Sequence, residues 1–380
     1  MKFDLMENSL PVAKRPRLTN KSTIFNNWFL LPDDILDLII TRLTIIEDYI
    51  RFGAVCVSWH SIFRKNSYRL PRQLPVLVVV NEVKNTLNFR STRRRFSLQL
   101  PENNRCVGCS QGWLVIEIGV GLVYLFNPFS SVKNRINLPV LTVAEDAESF
   151  KVTKLKICKV VLSASPLSNT DFVVLVIFDS PYDFNSRDVA FWRPGDCSWT
   201  EIDTRFVDDV IYYKKQFYAI GTNCKVFAFD ISTSTPLVTE IKSFPGAIDY
   251  QPKKYLVESQ GELLQVHRKE CVDDESGRVT TGWFMVYKLN QVKRVWGREK
   301  NLGDCVLFVG CQSSMSVQTS PFPGSVSNYI SFSRDDMPIS YNGEKKLQDT
   351  GFYYFRDGTM KKFLPNKERA FWIEPKLYGC

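Results

Sequence analysis

The sequence predicts a mainly β chain in which a small three-helix module near the N-terminus is followed by a β-propeller of six or seven blades. Three observations lead there. Helical periodicity with start signals is confined to residues 28 to about 70. From Leu74 onward the chain is a series of short runs rich in Val, Ile, Phe, Tyr and Trp, punctuated by Gly, Asn, Asp and Pro. No long helical pattern interrupts that series, which excludes an alternating β/α architecture and leaves a sandwich, a barrel or a propeller. The β region, about 300 residues, is large for one sandwich. At roughly 40 to 50 residues per four-stranded blade it makes six or seven blades.

The helical module opens with "WFLLPDDILDLIITRL", residues 28 to 43. Pro32 suits the first helical position, and Asp33 and Asp34 fall in the first turn, where the helix dipole favours negative charge. Ile35, Leu36, Leu38, Ile39, Ile40 and Leu43 then cover more of the helix than a single core-facing stripe requires. The following "IEDYIRFGAVCVSW" offers Ile50, Val55 and Trp59, and Trp59, Ile62 and Phe63 recur at i, i+3 and i+4. Three short helices in about 40 residues stand near the lower size limit for a core of their own. Residues 1–27 are polar and patternless and read as a disordered tail.

Within the β region, "IYYKKQFYAI" reads as a hairpin turning at Lys214–Lys215–Gln216, and "YLVESQGELLQV" as one turning near Gln260–Gly261. The repeat is degenerate. An aromatic-then-Asp/Asn ending, in "VYLFNP" and "VFAFDI", is its clearest internal echo. The acidic pairs Asp208–Asp209, Asp273–Asp274 and Asp335–Asp336 sit in turn contexts and show no sign of forming buried acid/base pairs.

The net charge of +9 admits a nucleic-acid or membrane partner and equally describes a mildly basic soluble protein. The longest apolar runs, "LPVLVVV" and "FVVLVIF", have the length of buried strands and fall far short of the roughly 20 residues a membrane helix needs. Residues 1–27 lack the apolar stretch of a signal peptide, so the ten cysteines read as reduced thiols of an intracellular protein. "AKRPRL" at 13–18 has the composition of a nuclear import signal, which makes nucleus or cytoplasm the expected location. Two histidines limit acid–base catalysis. His60 lies beside Trp59 in the third helix, and the alternation of Leu264 and Val266 places His267 toward solvent near a strand end. "CVGC" at 106–109 has the spacing of a zinc half-site but precedes a strand, with neither a second pair nor a nearby histidine. "GVGLVY" at 119–124 lacks the third glycine and following helix of a dinucleotide loop. The densest basic cluster, "RSTRRRF" at 90–96, reads as a solvated strand edge rather than a nucleic-acid site. No catalytic residue, cofactor or metal ligand is therefore expected.

Leu31–Pro32, Ile35–Leu36, Ile39, Leu43, Asp48, Arg51, Val55–Cys56, Ser58–Trp59 and Ile62 together form a pattern that resembles an F-box, spanning residues 28–70. His60 departs from the Arg or Lys more usual after the tryptophan. The remainder, residues 74–376, resembles the plant F-box proteins with a KIB-type, kelch-like propeller. Its carriers are "RRRFSLQLP", "GCSQGWLV", "FWRPGDCSWTEI", "DVIYYKKQFYAI", "YLVESQGELLQVHR", "NLGDCVLFVG" and "FWIEP". The resemblance implies a non-catalytic adaptor. Leu31, Pro32, Ile35, Leu36, Ile39, Leu43, Val55, Cys56 and Trp59 would dock on a Skp-family adaptor, and through it on a cullin–RING ubiquitin ligase. The propeller would hold an unidentified protein substrate, through loops such as 180–188, 268–282 and 334–351. A second protein would then cover the surplus apolar surface of the first helix. A stand-alone propeller binding protein, a propeller enzyme and a nucleic-acid binder are the alternatives, and the last two leave those over-apolar helices unexplained.

Overall fold

The computed structural model describes residues 28–44, 46–66, 73–90, 95–119, 122–129, 134–144, 152–181, 186–204, 206–221, 223–233, 236–241, 252–272, 279–322, 324–334, 349–363 and 369–375. The tail with "AKRPRL", the centre of "RSTRRRF" and the middles of segments 180–188, 268–282 and 334–351 lie outside the described residues.

A 3-10 turn (Trp28–Leu30) leads into α1 (Asp33–Thr41), α2 (Ile46–Gly53) and α3 (Val57–Asn66). Pro32 stands one position earlier than expected, as the N-cap of α1, and its carbonyl accepts the amides of Ile35 and Leu36, both at 3.1 Å. Leu36, Ile40, Tyr49, Phe52, Ile62 and Phe63 form the core of the module. The Asn66 side chain donates to the Ile62 carbonyl at 3.0 Å, and the Asn66 carbonyl accepts the Tyr49 hydroxyl. Gln73 accepts the Ile46 amide at 3.2 Å, satisfying one donor that the start of α2 leaves open. It also donates to the Thr44 carbonyl at 3.0 Å, which ties the helices to the first strand.

Blade 1 begins with β1 (Val76–Asn81), β2 (Thr86–Arg90) and β3 (Arg95–Gln99). Blade 2 is β4 (Asn104–Ser110), β5 (Trp113–Ile118), β6 (Leu122–Phe126) and β7 (Arg135–Asn137). A small pair, β8 (Thr142–Ala144) and β9 (Val152–Lys154), precedes blade 3, which is β10 (Ile157–Leu162), β11 (Val174–Asp179), β12 (Arg187–Trp192) and β13 (Thr200–Ile202). Blade 4 is β14 (Val207–Tyr213), β15 (Gln216–Gly221), β16 (Val226–Asp230) and β17 (Leu237–Ile241). Blade 5 is β18 (Lys253–Ser259), β19 (Glu262–Val272), β20 (Val279–Asn290) and β21 (Val295–Glu299). Blade 6 is β22 (Cys305–Val309), β23 (Met315–Gln318), β24 (Tyr329–Phe332), β25 (Thr350–Tyr354) and β26 (Met360–Phe363). The last strand, β27 (Arg369–Ile373), returns to blade 1 and pairs antiparallel with β1, so the two ends of the propeller share one sheet. Of the six or seven blades allowed by the sequence, the structure has six.

Each blade presses an apolar face on each neighbour. Val78 and Phe89 of blade 1 meet Leu114 and Ile116 of blade 2. Trp113 and Val115 meet Val160 and Val174 of blade 3. The layers continue through Leu175 with Phe217, Ile220 with Leu263, Val266 with Phe332, and Phe308 with Trp372. Strands covered on both faces need no alternation, which is why β22, buried at every position, reads as a continuous apolar run.

Both expected hairpins form. Tyr213 pairs with Gln216 around Lys214–Lys215, and Ser259 with Glu262 around Gln260–Gly261. "CVGC" lies inside β4, not before a strand, with a bulge between Cys106 and Gly108. Burial pushes both thiols up to about 12, so neither is a reactive nucleophile.

Blade 6 departs from the simple pattern. β22 runs parallel to β24, and β23 is added on its inner side. The tip between β22 and β23, Gly310–Ser313, is buried, whereas hairpin tips ordinarily lie in solvent. Cys311 packs in the apolar cluster of Cys158, Val161 and Val210, which belong to blades 3 and 4. The Ser313 hydroxyl donates to the Trp372 carbonyl of blade 1, which also accepts the Cys109 thiol of blade 2 at 3.1 Å. The tip thus touches the ring on several sides and fills its axis. A Cβ at Gly310 would run into the Ser333 hydroxyl. We expect Gly310→Ala to cost about 1–3 kcal/mol in urea denaturation, and Ser333→Ala in the same chain to restore most of the loss. A Gly310→Ala protein as stable as wild type would show the tip to be loosely packed.

Candidate functional site

Two groups of side chains stand out, one on the helices and one inside the propeller. On the helices, α1 carries two apolar stripes. Leu36 and Ile40 face inward, with Leu43 partly buried behind them. Leu31, Ile35, Leu38 and Ile39 form a second stripe at i, i+4, i+7 and i+8 that is left wholly or partly open. Leu30 is 75% exposed, Leu38 57% and Val57 88%, although all three are large apolar residues. Pro32 is exposed beside Leu31, and Val55 is exposed where α2 gives way to α3. The Trp59 ring leans on Phe52, with centroids 4.5 Å apart, and its indole N–H donates to the Trp28 carbonyl at 3.2 Å. It therefore holds the 3-10 turn against α3 while staying partly accessible. Cys56 is partly accessible, and its thiol lies 3.1 Å from the Ser58 hydroxyl, whose hydrogen bond lowers the thiol pKa. His60 is partly buried and donates from Nδ1 to the Gly53 carbonyl at 3.1 Å.

Of the nine residues expected at a partner surface, the structure gathers Leu31, Pro32, Ile35 and Ile39 on the outer stripe, with Val55, Cys56 and Trp59 at the α2–α3 corner and Leu43 between stripe and core. Leu36 is a correction. It is 0% exposed and fastens α1 to α2 and α3, so it offers no surface to a partner. Leu30, Leu38 and Val57 are exposed apolar residues of the helices that stand outside the expected set. Their signal was present in the surplus of apolar positions, but sequence alone does not say which stripe turns inward.

Inside the propeller, β14 opens with Val207–Asp208–Asp209, and a bulge between Val207 and Asp209 lets consecutive side chains both stay inside. The Asp208 carboxylate accepts Lys254 Nζ of blade 5 at 2.7 Å and lies 3.5 Å from Arg187 of blade 3. Asp209 is bonded to Lys159 of blade 3 and accepts the Leu256 amide of blade 5 at 2.7 Å. Each aspartate thereby ties blade 4 to both neighbours. This corrects the turn reading of the pair, since both lie in β14 and Asp209, Lys159 and Lys254 are all at least 96% buried. Burial raises the Asp209 pKa, opposed by the charge of Lys159. Asp349 behaves differently. Against the pull of burial, Arg268 at 3.0 Å and the Thr281 amide and hydroxyl hold its pKa low.

His267 is the second correction. It is fully buried on β19 opposite Lys254, not near solvent. Its ring stacks 4.9 Å from Tyr287 and its Nε2 donates to Gln265 at 3.1 Å. Burial first, then the charge of Lys254, brings its pKa down from 6.5 to about 3. A neutral buried histidine between charged neighbours is a structural element, not a base poised for catalysis near neutral pH.

The fold and the open face define a class: a small helical module with an exposed apolar face, followed by a six-bladed β-propeller. Residues 28–70 match the F-box domain and residues 86–354 match the KIB1-4 beta-propeller. The chain belongs to the plant F-box proteins with a KIB1-4 β-propeller. It is similar to an F-box/kelch-repeat protein of Arabidopsis thaliana, 27% identical over 92% of this chain and 95% of that protein. It is equally similar to F-box protein SKIP23 of Arabidopsis thaliana, again 27% identical over 92% of this chain and 95% of the relative.

Two measurements test the interior. Removing one member of a buried pair costs about 3–5 kcal/mol, so Asp209→Ala should lose that much in denaturant unfolding, while Lys159→Met with Asp209→Leu recovers most of it. The folded pKa of His267 lies below its unfolded value, so its contribution is complete above pH 6.5 and is lost as pH falls toward 3. Between pH 6 and 5 the wild type should lose about 1 kcal/mol more stability than His267→Gln. Parallel pH profiles would contradict the neutral-histidine assignment.

Proposed function

We propose that this protein is the substrate receptor of a cullin–RING ubiquitin ligase, with the F-box docking on a Skp-family adaptor and the propeller holding the protein to be modified. The observation that carries this reading is the second apolar stripe of α1. Leu36 and Ile40 already supply the module's own core, yet Leu31, Ile35, Leu38 and Ile39 remain wholly or partly open beside Pro32. Burying such a stripe in a partner contributes roughly 25 cal/mol per Å² of apolar surface removed from water. The F-box match and the F-box relatives support the same reading. The axis of the propeller is filled by Gly310–Ser313, which supports a non-catalytic role for the ring. Recognition then falls to the outer surface and loops of a rigid scaffold.

The test is capture of a Skp-family adaptor by the intact chain and by Leu31→Ala with Pro32→Ala. Central apolar anchors cost roughly 2 kcal/mol each on truncation, so capture should disappear while the propeller stays folded. Leu38→Ala and Leu36→Ala separate surface from core. Leu38→Ala should weaken capture without changing the melting temperature, whereas Leu36→Ala should cost about 2–5 kcal/mol of the module's stability. Capture by the double alanine protein equal to that of wild type would overturn the docking model.

A further inference from the structure

Three hairpins of the propeller turn on two residues: Gln111–Gly112, Lys214–Lys215 and Gln260–Gly261. In all three both turn residues have positive φ, the mark of the primed turns that match strand twist. Two of them place glycine second, where the left-handed conformation carries no Cβ penalty. The turn of blade 4 instead holds two lysines, at φ 47° and 65°, which the backbone disfavours and which places like charges side by side. On the neighbouring turn of blade 5 (291–294), Arg294 is also left-handed, at φ 52°. The turn geometry demands positive φ but not lysine, and a Lys–Lys pair is a local cost that an Asn–Gly or Gln–Gly turn would avoid.

The side chains are organised as well. Lys214 Nζ donates to Gln291 at 3.0 Å and sits 5.1 Å from the centre of the Tyr213 ring. Gln291 in turn donates to the Tyr213 hydroxyl, which donates to the Gly261 carbonyl at 2.7 Å. Lys214 and Arg294 both act on the Tyr218 phenol, whose ring lies 5.6 Å from that of Tyr213. Lys215 and Lys293 are exposed on the same two turns, and Val292 beside them is 94% exposed. Two carboxylates stand nearby. Glu258 is engaged by the Gly261 amide at 2.7 Å, and Glu262 faces Lys214. Four cations against two carboxylates leave an anion-seeking surface with an apolar contact at its rim.

We propose that the turns of blades 4 and 5, through Lys214, Lys215, Lys293 and Arg294, bind an acidic segment of a protein, its negative charge supplied by carboxylates or phosphates. This deepens the receptor reading and rests on it, since the segment would belong to the protein held by the propeller. A nucleic acid fits less well. The patch spans only two turns, whereas a continuous phosphate backbone is held by a longer basic track that neutralises many phosphates.

The test uses the full chain and fluorescence anisotropy with three probes: a short Glu/Asp peptide, the same peptide with phosphoserines, and a single-stranded oligonucleotide. The key variant is Lys214→Asn with Lys215→Gly, the pair such a turn prefers. It should bind peptide about tenfold more weakly and melt about 2 °C higher, a combination that a purely structural turn does not produce. Lys84→Asn, on a turn of blade 1, should leave binding unchanged. Tighter binding of the phosphorylated or of the plain peptide names the source of charge, and either supports the proposal. Equal binding by variant and wild type, no peptide binding by wild type, or tighter binding of the oligonucleotide would each overturn it. Adaptor capture by the same proteins separates the two claims. A variant that keeps capture and loses peptide binding supports both. A wild type that binds peptide without capturing the adaptor removes the receptor reading and leaves the acidic-segment site standing.

Discussion

The pairing of β27 with β1 is the contact on which the rest of the propeller depends. A row of stacked sheets has two end faces that must meet water. Joining the ends makes a ring in which every blade has two neighbours, so all six apolar layers can exist at once. Without that pairing β1 would present an unpaired edge with Val78, Val79 and Val80 behind it, a template for aggregation. The cost of closure is that strands must be apolar on both faces, which is what "FVVLVIF" and "CVLFVG" display.

The apolar layers are non-directional, and charge supplies direction where three blades meet. Asp208 and Asp209 lie on adjacent positions of β14, yet each finds partners in blade 3 and in blade 5. Buried pairs of this kind add little net stability over an apolar replacement, because desolvation offsets the attraction. Their geometry is demanding, however, and a blade displaced by one residue would strand a carboxylate in the interior. On β19, Arg268 makes a comparable junction, with Nη1 donating to the Ser333 carbonyl at 2.8 Å and Nη2 to Asp349.

Local features were legible in the sequence and tertiary ones were not. The helices announced themselves through Pro32, Asp33 and Asp34, and the hairpins through Lys214–Lys215 and Gln260–Gly261, because caps and turns are set by residues close in sequence. Asp208–Asp209 looked like a turn because the bulge that keeps both inside depends on partners far along the chain. Alternation turns His267 toward solvent, but β19 is buried on both faces along most of its length, so period two does not hold there. Leu36 resembled a docking residue because a helix with two apolar stripes does not declare which one its own module will cover. The buried tip Gly310–Ser313 left only "FVGCQSS", which reads as an ordinary loop.

That tip also imposes an order on the growing chain. Gly310–Ser313 is synthesised before β27, so the residues that fill the axis are available before the residues that close the ring around them. Had the order been reversed, a closed ring would have had to reopen to admit its own centre. As built, blade 6 can set its tip against blades 3 and 4 while the ring still has a gap, and the arrival of β27 then seals a centre already filled. Chain order thus lets the centre be set before the ring is closed.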